Sequence, residues 1–213
     1  MDHLLVRDLL ECEIASGHEA SAPTFSPVML KARSSVIDTE IDLHVYQGQA
    51  FNTETGRWNL WFSISLQYAR SKARLRLTSR DPEALAHIDH RYFSDPADLE
   101  ALCDGVEFVN HLIKTPPLAE VVEPIPSKSL QWTGRDDIRA KVRAQVGTTY
   151  NPSSTCRMGP ATDPMAVVDQ QGRVYGVEGL RVVDAPIFPT GPHGNIHFPV
   201  VAAAKKIAGM LKR

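Results

Sequence analysis

The residues with the clearest chemical potential lie in the last third of the chain, between Tyr150 and Arg213. Three polar segments there interrupt apolar runs at places where a strand or helix is predicted to end. Polar groups gathered at element ends are typical of a functional site on a rigid scaffold. In chain order, the first, second and third motifs are Tyr150-Asn151-Pro152-Ser153-Ser154-Thr155-Cys156-Arg157-Met158-Gly159, Gly179-Leu180-Arg181-Val182-Val183-Asp184-Ala185-Pro186 and Gly194-Asn195-Ile196-His197-Phe198-Pro199.

A helix is predicted directly after the third motif. Pro199 suits the first position of a helix, and the run from Val200 to Leu211 contains no further proline. The first unpaired backbone N–H groups are then expected at Val200, Val201 and Ala202. Together with the helix dipole, they favour an anionic or electron-rich group in front of the helix. His197 is predicted to stand beside that group.

The three motifs together resemble the C-terminal signature of the glucose–methanol–choline (GMC) family of flavoenzymes. Members of that family carry the patterns Tyr-His-Pro-x-Gly-Thr-Cys-Arg-Met-Gly, Gly-Leu-Arg-Val-Val-Asp-Ala and Gly-Asn-x-Asn/His-x-Pro in this order. The resemblance implies FAD as cofactor and the oxidation of a small alcohol-type substrate at a CH–OH group. It also implies an α+β fold, an antiparallel sheet with flanking helices that forms the substrate-binding and C-terminal part of such an enzyme.

The resemblance also places a polar pair at the site of alcohol oxidation. In the family this pair is usually a histidine of the first motif with an asparagine or histidine of the third. Here the two positions hold Asn151 and His197. A neutral imidazole accepts a proton near neutral pH, whereas an amide only donates and accepts hydrogen bonds. We therefore predict His197 as the general base and Asn151 as the residue that holds the substrate oxygen.

Contacts to FAD are implied for the end of the second motif, mainly through its backbone, and for the third motif with the helix that follows. The residues concerned are Asp184, Ala185, Asn195, His197, Pro199 and Val200. Two of them have a structural alternative, because Asp184 and Asn195 can also satisfy hydrogen bonds of their own turns.

Two departures from the family pattern leave other functions open. Asn151 replaces the usual histidine, which suggests a lyase or another non-oxidative use of the flavin scaffold. Ser154 replaces the usual glycine, so the turn after Pro152 is expected to differ or to carry an additional hydroxyl. A non-catalytic remnant or a protein-binding module is the alternative from a different class.

A zinc site and a hydrolase site are the other two kinds of site that these residues suggest. His193 and His197 are four residues apart, a spacing that binds zinc on one helix. However, both are predicted to precede the helix and no carboxylate accompanies them, so we predict no metal. Cys156 with His197 would give the nucleophile and base of a hydrolase, but the position of Cys156 in the first motif favours a packed thiol.

Composition narrows the class of protein. The chain has 213 residues, 43% of them hydrophobic, and a net charge of −2, which suits one soluble unit or one and a half small domains. A net charge so close to zero predicts neither nucleic acid nor a membrane surface as partner, and no apolar run approaches the roughly 20 residues of a membrane span. Three widely spaced cysteines predict neither a disulfide framework nor a metal ribbon, which favours a reducing cytoplasm.

The chain is predicted to comprise two regions. Residues 1–146 would form a substrate-binding sheet with scaffold helices, and residues 147–213 a C-terminal segment that completes the flavin site. No Gly-x-Gly-x-x-Gly loop follows a predicted strand. We therefore predict that the chain lacks the N-terminal Rossmann-like FAD-binding portion, needs it as a partner and is inactive in isolation. A compact protein that binds no nucleotide is the alternative.

Periodicity predicts the elements of the scaffold. Alternating apolar residues predict antiparallel strands, at Leu4–Val6, Leu9–Ile14, Ile41–Tyr46, Trp61–Leu66 and Ala73–Leu77. Loops are predicted at residues 17–23 and 52–56. One helix is predicted to start at Asp95-Pro96 and to stop before Pro116. A second is predicted from Asp136 to Val146, with Gly147 as its C-cap.

Overall fold

The computed structural model describes residues 4–15, 25–37, 40–129 and 133–211. These residues form two compact units. One, named the sheet unit, draws its described residues from Leu4–Leu66 and Asp95–Gly147; the other, named the motif unit, draws them from Gln67–Ser94 and Thr148–Arg213. All three motifs lie in the motif unit. The functional division at residue 146 stays a prediction, because it concerns the roles of the two regions.

An antiparallel sheet is the body of the sheet unit, as predicted. Its strands are β1 (Leu4–Ile14), β2 (Phe25–Ala32), β3 (Leu43–Asn52), β4 (Arg57–Leu66), β7 (Val122–Ser129) and β8 (Val146–Thr148). Five of them follow the order β2-β3-β4-β1-β7, and β8 also pairs with β1. The two segments predicted within β1 are one strand, because a register shift between Val6 and Leu10 absorbs the break in alternation.

The two faces of this sheet differ in residue type. Leu43 of β3 lies opposite Leu66 of β4, and both side chains are 1% exposed. The next pair along the strands, His44 and Ser65, is polar although it is also buried. Since successive side chains of a strand point to opposite faces, the sheet has one apolar and one partly polar face.

A tight turn joins β3 to β4, at the loop predicted for residues 52–56. The backbone N–H of Gly56 donates to Asn52 O at 2.8 Å, and the side-chain Oδ1 of Asn52 accepts from Glu54 N at 2.9 Å. Gly56 has φ 67°, a left-handed conformation that costs glycine little. The other predicted loop, at residues 17–23, lies outside the described residues.

The first predicted helix is confirmed as α1 (Pro96–Leu112). Asp95 is its N-cap, and its side-chain Oδ1 accepts a hydrogen bond from Ala97 N at 3.0 Å. The apolar residues at helical spacing are buried, namely Leu99, Leu102, Val106, Val109 and Ile113. A short helix, α2 (Leu118–Val121), follows the proline pair. Among the described helices, none has the length and apolar composition that a membrane span requires.

The second predicted helix exists as α3 (Arg135–Gln145), but the predicted C-cap is wrong. The capping residue is Val146, with φ −62° and ψ 138°, and Gly147 belongs to β8. Because the chain passes directly from the helix into a strand that pairs with β1, the turn needs no residue in the left-handed conformation at this point.

An ion-pair network links α3 to α1. Arg135 contacts Asp104 Oδ1 at 2.6 Å, Glu100 Oε2 at 3.1 Å and Glu107 Oε2 at 2.8 Å. Arg139 contacts Glu100 Oε1 at 2.7 Å. Asp104 also accepts hydrogen bonds from the backbone N–H and the hydroxyl of Ser35, at 2.7 and 2.6 Å. The network therefore ties two helices and one loop of the sheet unit together.

The motif unit has little regular structure. A two-stranded ribbon pairs β5 (Arg74–Arg76) with β6 (His87–Asp89). The prediction of a strand at Ala73–Leu77 is correct at its centre, but its three paired residues are exposed. A small core packs around Val168, Ile187 and Ile207, the last of which belongs to the C-terminal helix α4 (His197–Leu211).

Two glycines in helices are expected to respond in opposite ways to alanine. A Cβ at Gly105 in α1 would lie 2.5 Å from Ile64 Cγ2, whereas one at Gly209 in α4 meets nothing within 4 Å. Overpacking costs about 1–3 kcal/mol and offsets the gain of about 1 kcal/mol in helix propensity. We expect Gly105→Ala to lower the free energy of unfolding by about 1 kcal/mol and Gly209→Ala to raise it by about 0.5–1 kcal/mol. Urea unfolding measures both; a gain of stability in both variants would contradict the close packing.

Candidate functional site

Backbone hydrogen bonds join the first motif to the second. Ser154 N donates to Ala185 O at 3.4 Å, Cys156 N to Pro186 O at 3.1 Å and Met158 N to Ile187 O at 2.8 Å. The acceptors belong to a single 3-10 turn at Ala185–Ile187. These three hydrogen bonds hold the first motif against the end of the second and the residue that follows it. The half-buried Cys156 takes part through its backbone, which suits the predicted packed thiol.

Asp184 caps this 3-10 turn. Its Oδ1 accepts a hydrogen bond from Ala185 N at 2.7 Å, while the residue itself is exposed. Ala185 therefore has both its N–H and its carbonyl engaged within the chain. The cofactor contacts expected of Asp184 and Ala185 stay predictions. The apolar run Leu180–Val183 before Asp184 is not a strand: of these residues only Arg181 forms a β-bridge, with Arg173.

The helix after the third motif starts earlier than predicted. It begins at His197, which makes Pro199 its third residue, and Val200 N already donates to Ile196 O at 3.0 Å. The first three N–H groups of any helix lack an intrahelical acceptor, so proline is tolerated there as well as at the first position. The prediction of unpaired N–H groups at Val200, Val201 and Ala202 is therefore wrong, because all three lie beyond the first turn of the helix. Within the described residues, the backbone N–H groups without an acceptor at this end are those of Ile196, His197 and Phe198.

The side chains around this helix start face solvent. Asn195, His197 and Phe198 are all exposed, and Phe198 retains 79% of its accessible surface. The rings of His197 and Phe198 meet edge to face, with their centroids 5.4 Å apart. The imidazole is therefore accessible from outside the motif unit, as a group that exchanges a proton with a ligand must be.

Asn151 is half-buried and fixed by its neighbour. Its Nδ2 donates to Thr149 O at 2.8 Å and lies 3.2 Å from Thr149 Oγ1. Its side-chain oxygen accepts no hydrogen bond from a described residue. Asn151 thus keeps its side-chain oxygen as an acceptor, while its Nδ2, which carries two hydrogens, also contacts Thr149.

The segment leading to the third motif runs beside the first. Ser153 and Gly191 are both buried, and a Cβ at Gly191 would lie 3.6 Å from Ser153 Oγ. The structure thereby brings together the two segments that carry Asn151 and His197. In the described part of the chain no hydrogen bond joins these two side chains to each other.

A ring pair that the sequence did not reveal lies near the third motif. The rings of Tyr68 and His193 have centroids 4.1 Å apart and planes inclined by 33°. The sequence pattern marked His193 only as a candidate zinc ligand. The described residues contain no cluster of three or more potential metal-binding side chains. No local pattern marks Tyr68, because the two residues meet through the fold.

Ser154 adopts the backbone conformation that the family pattern assigns to glycine. Its φ of 67° lies in the left-handed region, which costs a non-glycine residue about 1–2 kcal/mol. We expect Ser154→Gly to raise the free energy of unfolding by about 0.5–1 kcal/mol, after allowance for the greater entropy of an unfolded glycine. Ser153→Gly is the control: its φ is not positive and its side chain is buried, so it should lower stability. Equal losses in both variants in thermal unfolding would contradict this account.

Comparison with known proteins agrees with the motifs. The family model described as GMC oxidoreductase matches residues 69–204. The oxygen-dependent choline dehydrogenase 1 of Chromohalobacter salexigens is 39% identical over 144 residues, which are 67% of this chain and 25% of that protein. The oxygen-dependent choline dehydrogenase of Paraburkholderia xenovorans is 37% identical over 142 residues, with the same coverage.

Solved structures show the same fold at lower identity. A formate oxidase of Aspergillus oryzae superposes with a TM-score of 0.83 at 20% identity, over 100% of this chain and 46% of that one. Pyridoxine 4-oxidase from Mesorbium loti gives a TM-score of 0.76 at 23% identity, over 99% and 42%. This chain spans about a quarter of the length of the curated relatives that it matches. Since the family model covers more than half of its residues, the chain belongs to the GMC oxidoreductase family.

Proposed function

We propose that this chain forms the C-terminal part of an FAD-dependent oxidoreductase that oxidises the CH–OH group of a small alcohol. The observation that carries the proposal is the presence of the three motifs in one unit, where hydrogen bonds join the first to the second and His197 and Asn195 are exposed at the start of α4. The names of two relatives point to the same chemistry, because they are choline dehydrogenases.

The residues at the helix start suit a flavin. The N–H groups of His197 and Phe198 and the positive end of the α4 dipole favour an electron-rich group, the amide of Asn195 is exposed beside them, and the carboxylate of Asp184 is at the surface. Pro199 and Val200 would act by shaping the first turn of α4. A flavin, when bound, supplies the acceptor for the hydride that leaves the substrate carbon.

His197 is proposed as the base for the substrate hydroxyl. Its exposed ring can be reached by a ligand, and a neutral imidazole nitrogen accepts the hydroxyl proton as the C–H bond breaks. Asn151 is proposed to hold the oxygen of the same hydroxyl by donating from Nδ2, which carries two hydrogens and also contacts Thr149. The two residues would then divide proton transfer and orientation between them.

The test compares the chain alone with the chain co-expressed with the FAD-binding portion that it would need. The 213-residue chain, purified with excess FAD and passed through gel filtration, is expected to emerge without a stoichiometric yellow complex. Co-expression with the N-terminal FAD-binding portion of a GMC oxidoreductase is expected to give a flavoprotein whose visible absorbance bleaches on anaerobic addition of an alcohol. A stable FAD complex of the chain alone would refute the dependence on a second portion. A flavoprotein that no alcohol bleaches would refute the reaction.

A lyase is the second candidate, favoured by Asn151 at the position where the family usually has histidine. Such an enzyme would cleave a hydroxylated substrate without net oxidation. In the same anaerobic experiment it would form product while the flavin absorbance stays unchanged. Product analysis alongside the spectrum therefore distinguishes the two reactions.

A further inference from the structure

The stacked pair Tyr68–His193 connects two distant parts of the motif unit. Their centroid distance of 4.1 Å and inclination of 33° place the imidazole over the phenol ring, and His193 Nδ1 is shielded from solvent. His193 lies outside the three motifs, and the proton chemistry proposed for His197 does not use it.

Tyr68 is held in position by the buried residues on either side of it. The residues that alternate with it, Gln67, Ala69 and Ser71, are 2%, 4% and 7% exposed. The chain bends at Gln67 and Tyr68, and the three buried side chains of this short segment hold its backbone in place. The half-buried Tyr68 ring therefore projects from an anchored backbone.

The segment that carries His193 needs such support. Residues 188–196 contain neither helix nor strand, yet they connect the 3-10 turn to the first residue of α4. One anchor is Gly191, which is buried beside Ser153. The next side chain to be held is His193, two residues before Asn195 and four before His197.

We propose that His193 is a positioning residue: by stacking on Tyr68 it fixes the turn that presents Asn195 and His197 to the ligand. Its role in the reaction rests on the proposed function, but the contact and its effect on the third motif do not. The contact with Tyr68 is made by the ring of His193, so a phenylalanine at position 193 keeps a ring there while it removes the polar interactions of the imidazole.

The first test uses the 213-residue chain and the ring-proton NMR signals of its histidines, assigned with His193→Gln and His197→Gln variants. The ring current of Tyr68 should shield the His193 protons. Tyr68→Leu is expected to remove that shielding and also to change the His197 signals, while Tyr68→Phe leaves both unchanged. Tyr92→Leu is the matched control, because Tyr92 stacks on His90 in the same unit with centroids 4.9 Å apart. That variant should change the His90 signals and leave His197 as it was.

The second test measures anaerobic flavin reduction in the co-expressed flavoprotein. His193→Ala and Tyr68→Leu are each expected to lower the rate constant roughly two- to tenfold, the range for one lost ring pair. The double variant should be no slower than either, and His193→Phe should be faster than His193→Ala with the pH profile of the wild type. A Tyr68→Leu chain in which the His193 signals shift but the His197 signals do not would overturn the proposal, as would a double variant that is slower than both single variants. An inactive flavoprotein would refute the proposed function alone, since the NMR result is independent of it.

Discussion

His197→Ala is expected to lower the rate constant of anaerobic flavin reduction by roughly 10²–10⁴-fold, the usual contribution of a general base. Of the two polar residues implied at the site, only His197 can accept a proton near neutral pH. It is exposed at the start of α4, whereas Asn151 is half-buried and tied to Thr149. The loss should appear in the chemical step, because the substituted group acts on the hydroxyl that reacts.

Variants of Asn151 provide the comparison. Asn151→Ala removes the side chain that orients the substrate oxygen and should reduce the rate constant less than His197→Ala does. Asn151→His restores the arrangement that the family pattern has at this position, so it should retain more activity than Asn151→Ala. Stopped-flow absorbance across a range of pH, on the wild type and the three variants, measures all of these effects. Wild-type reduction by His197→Ala, with an unchanged pH profile, would eliminate the assignment of the base.

Local sequence patterns were sufficient to predict the structure where neighbouring residues determine it. Asp95 and Pro96 mark the start of α1 because capping and a fixed φ act within one turn. The alternation of apolar and polar residues in β3 and β4 predicted the sheet, because one face of each strand is buried against the core. Motif resemblance gave the family for the same reason, since each motif is a contiguous segment.

Contacts between distant segments could not be predicted in the same way. Gly147 has the composition of a C-cap, but pairing with β1 draws it into β8. Pro199 is compatible with three positions in the first turn, so sequence alone could not place the start of α4. The stack of Tyr68 on His193 joins residues far apart in the chain, and neither residue is unusual in its own surroundings.

The second large effect is expected in the sheet unit, where Arg135→Met should lower the free energy of unfolding at pH 7 by about 2 kcal/mol. Removing one partner of a buried ion pair costs about 3–5 kcal/mol, and the 26% exposure of the Arg135 side chain reduces that figure. Methionine retains most of the apolar part of the arginine side chain, so the loss of stability measures the contribution of the guanidinium group. Without it, three carboxylates of α1 remain close together, those of Glu100, Asp104 and Glu107.

The pH dependence of this loss provides a sharper test than its size. Hydrogen bonds from Arg139 and Arg135 hold the pKa of Glu100 below its usual value, although partial burial acts in the opposite direction. A carboxyl group with a lowered pKa stabilises the folded state above its unfolded pKa of about 4.3, and this contribution is lost as the pH falls through the folded value. The difference between wild type and Arg135→Met should therefore shrink when urea unfolding is repeated near pH 3. Lys206→Met removes an exposed helical cation in the motif unit and should change stability little at either pH. An Arg135→Met deficit that stays constant with pH would show that lost packing, not the carboxylates, causes it.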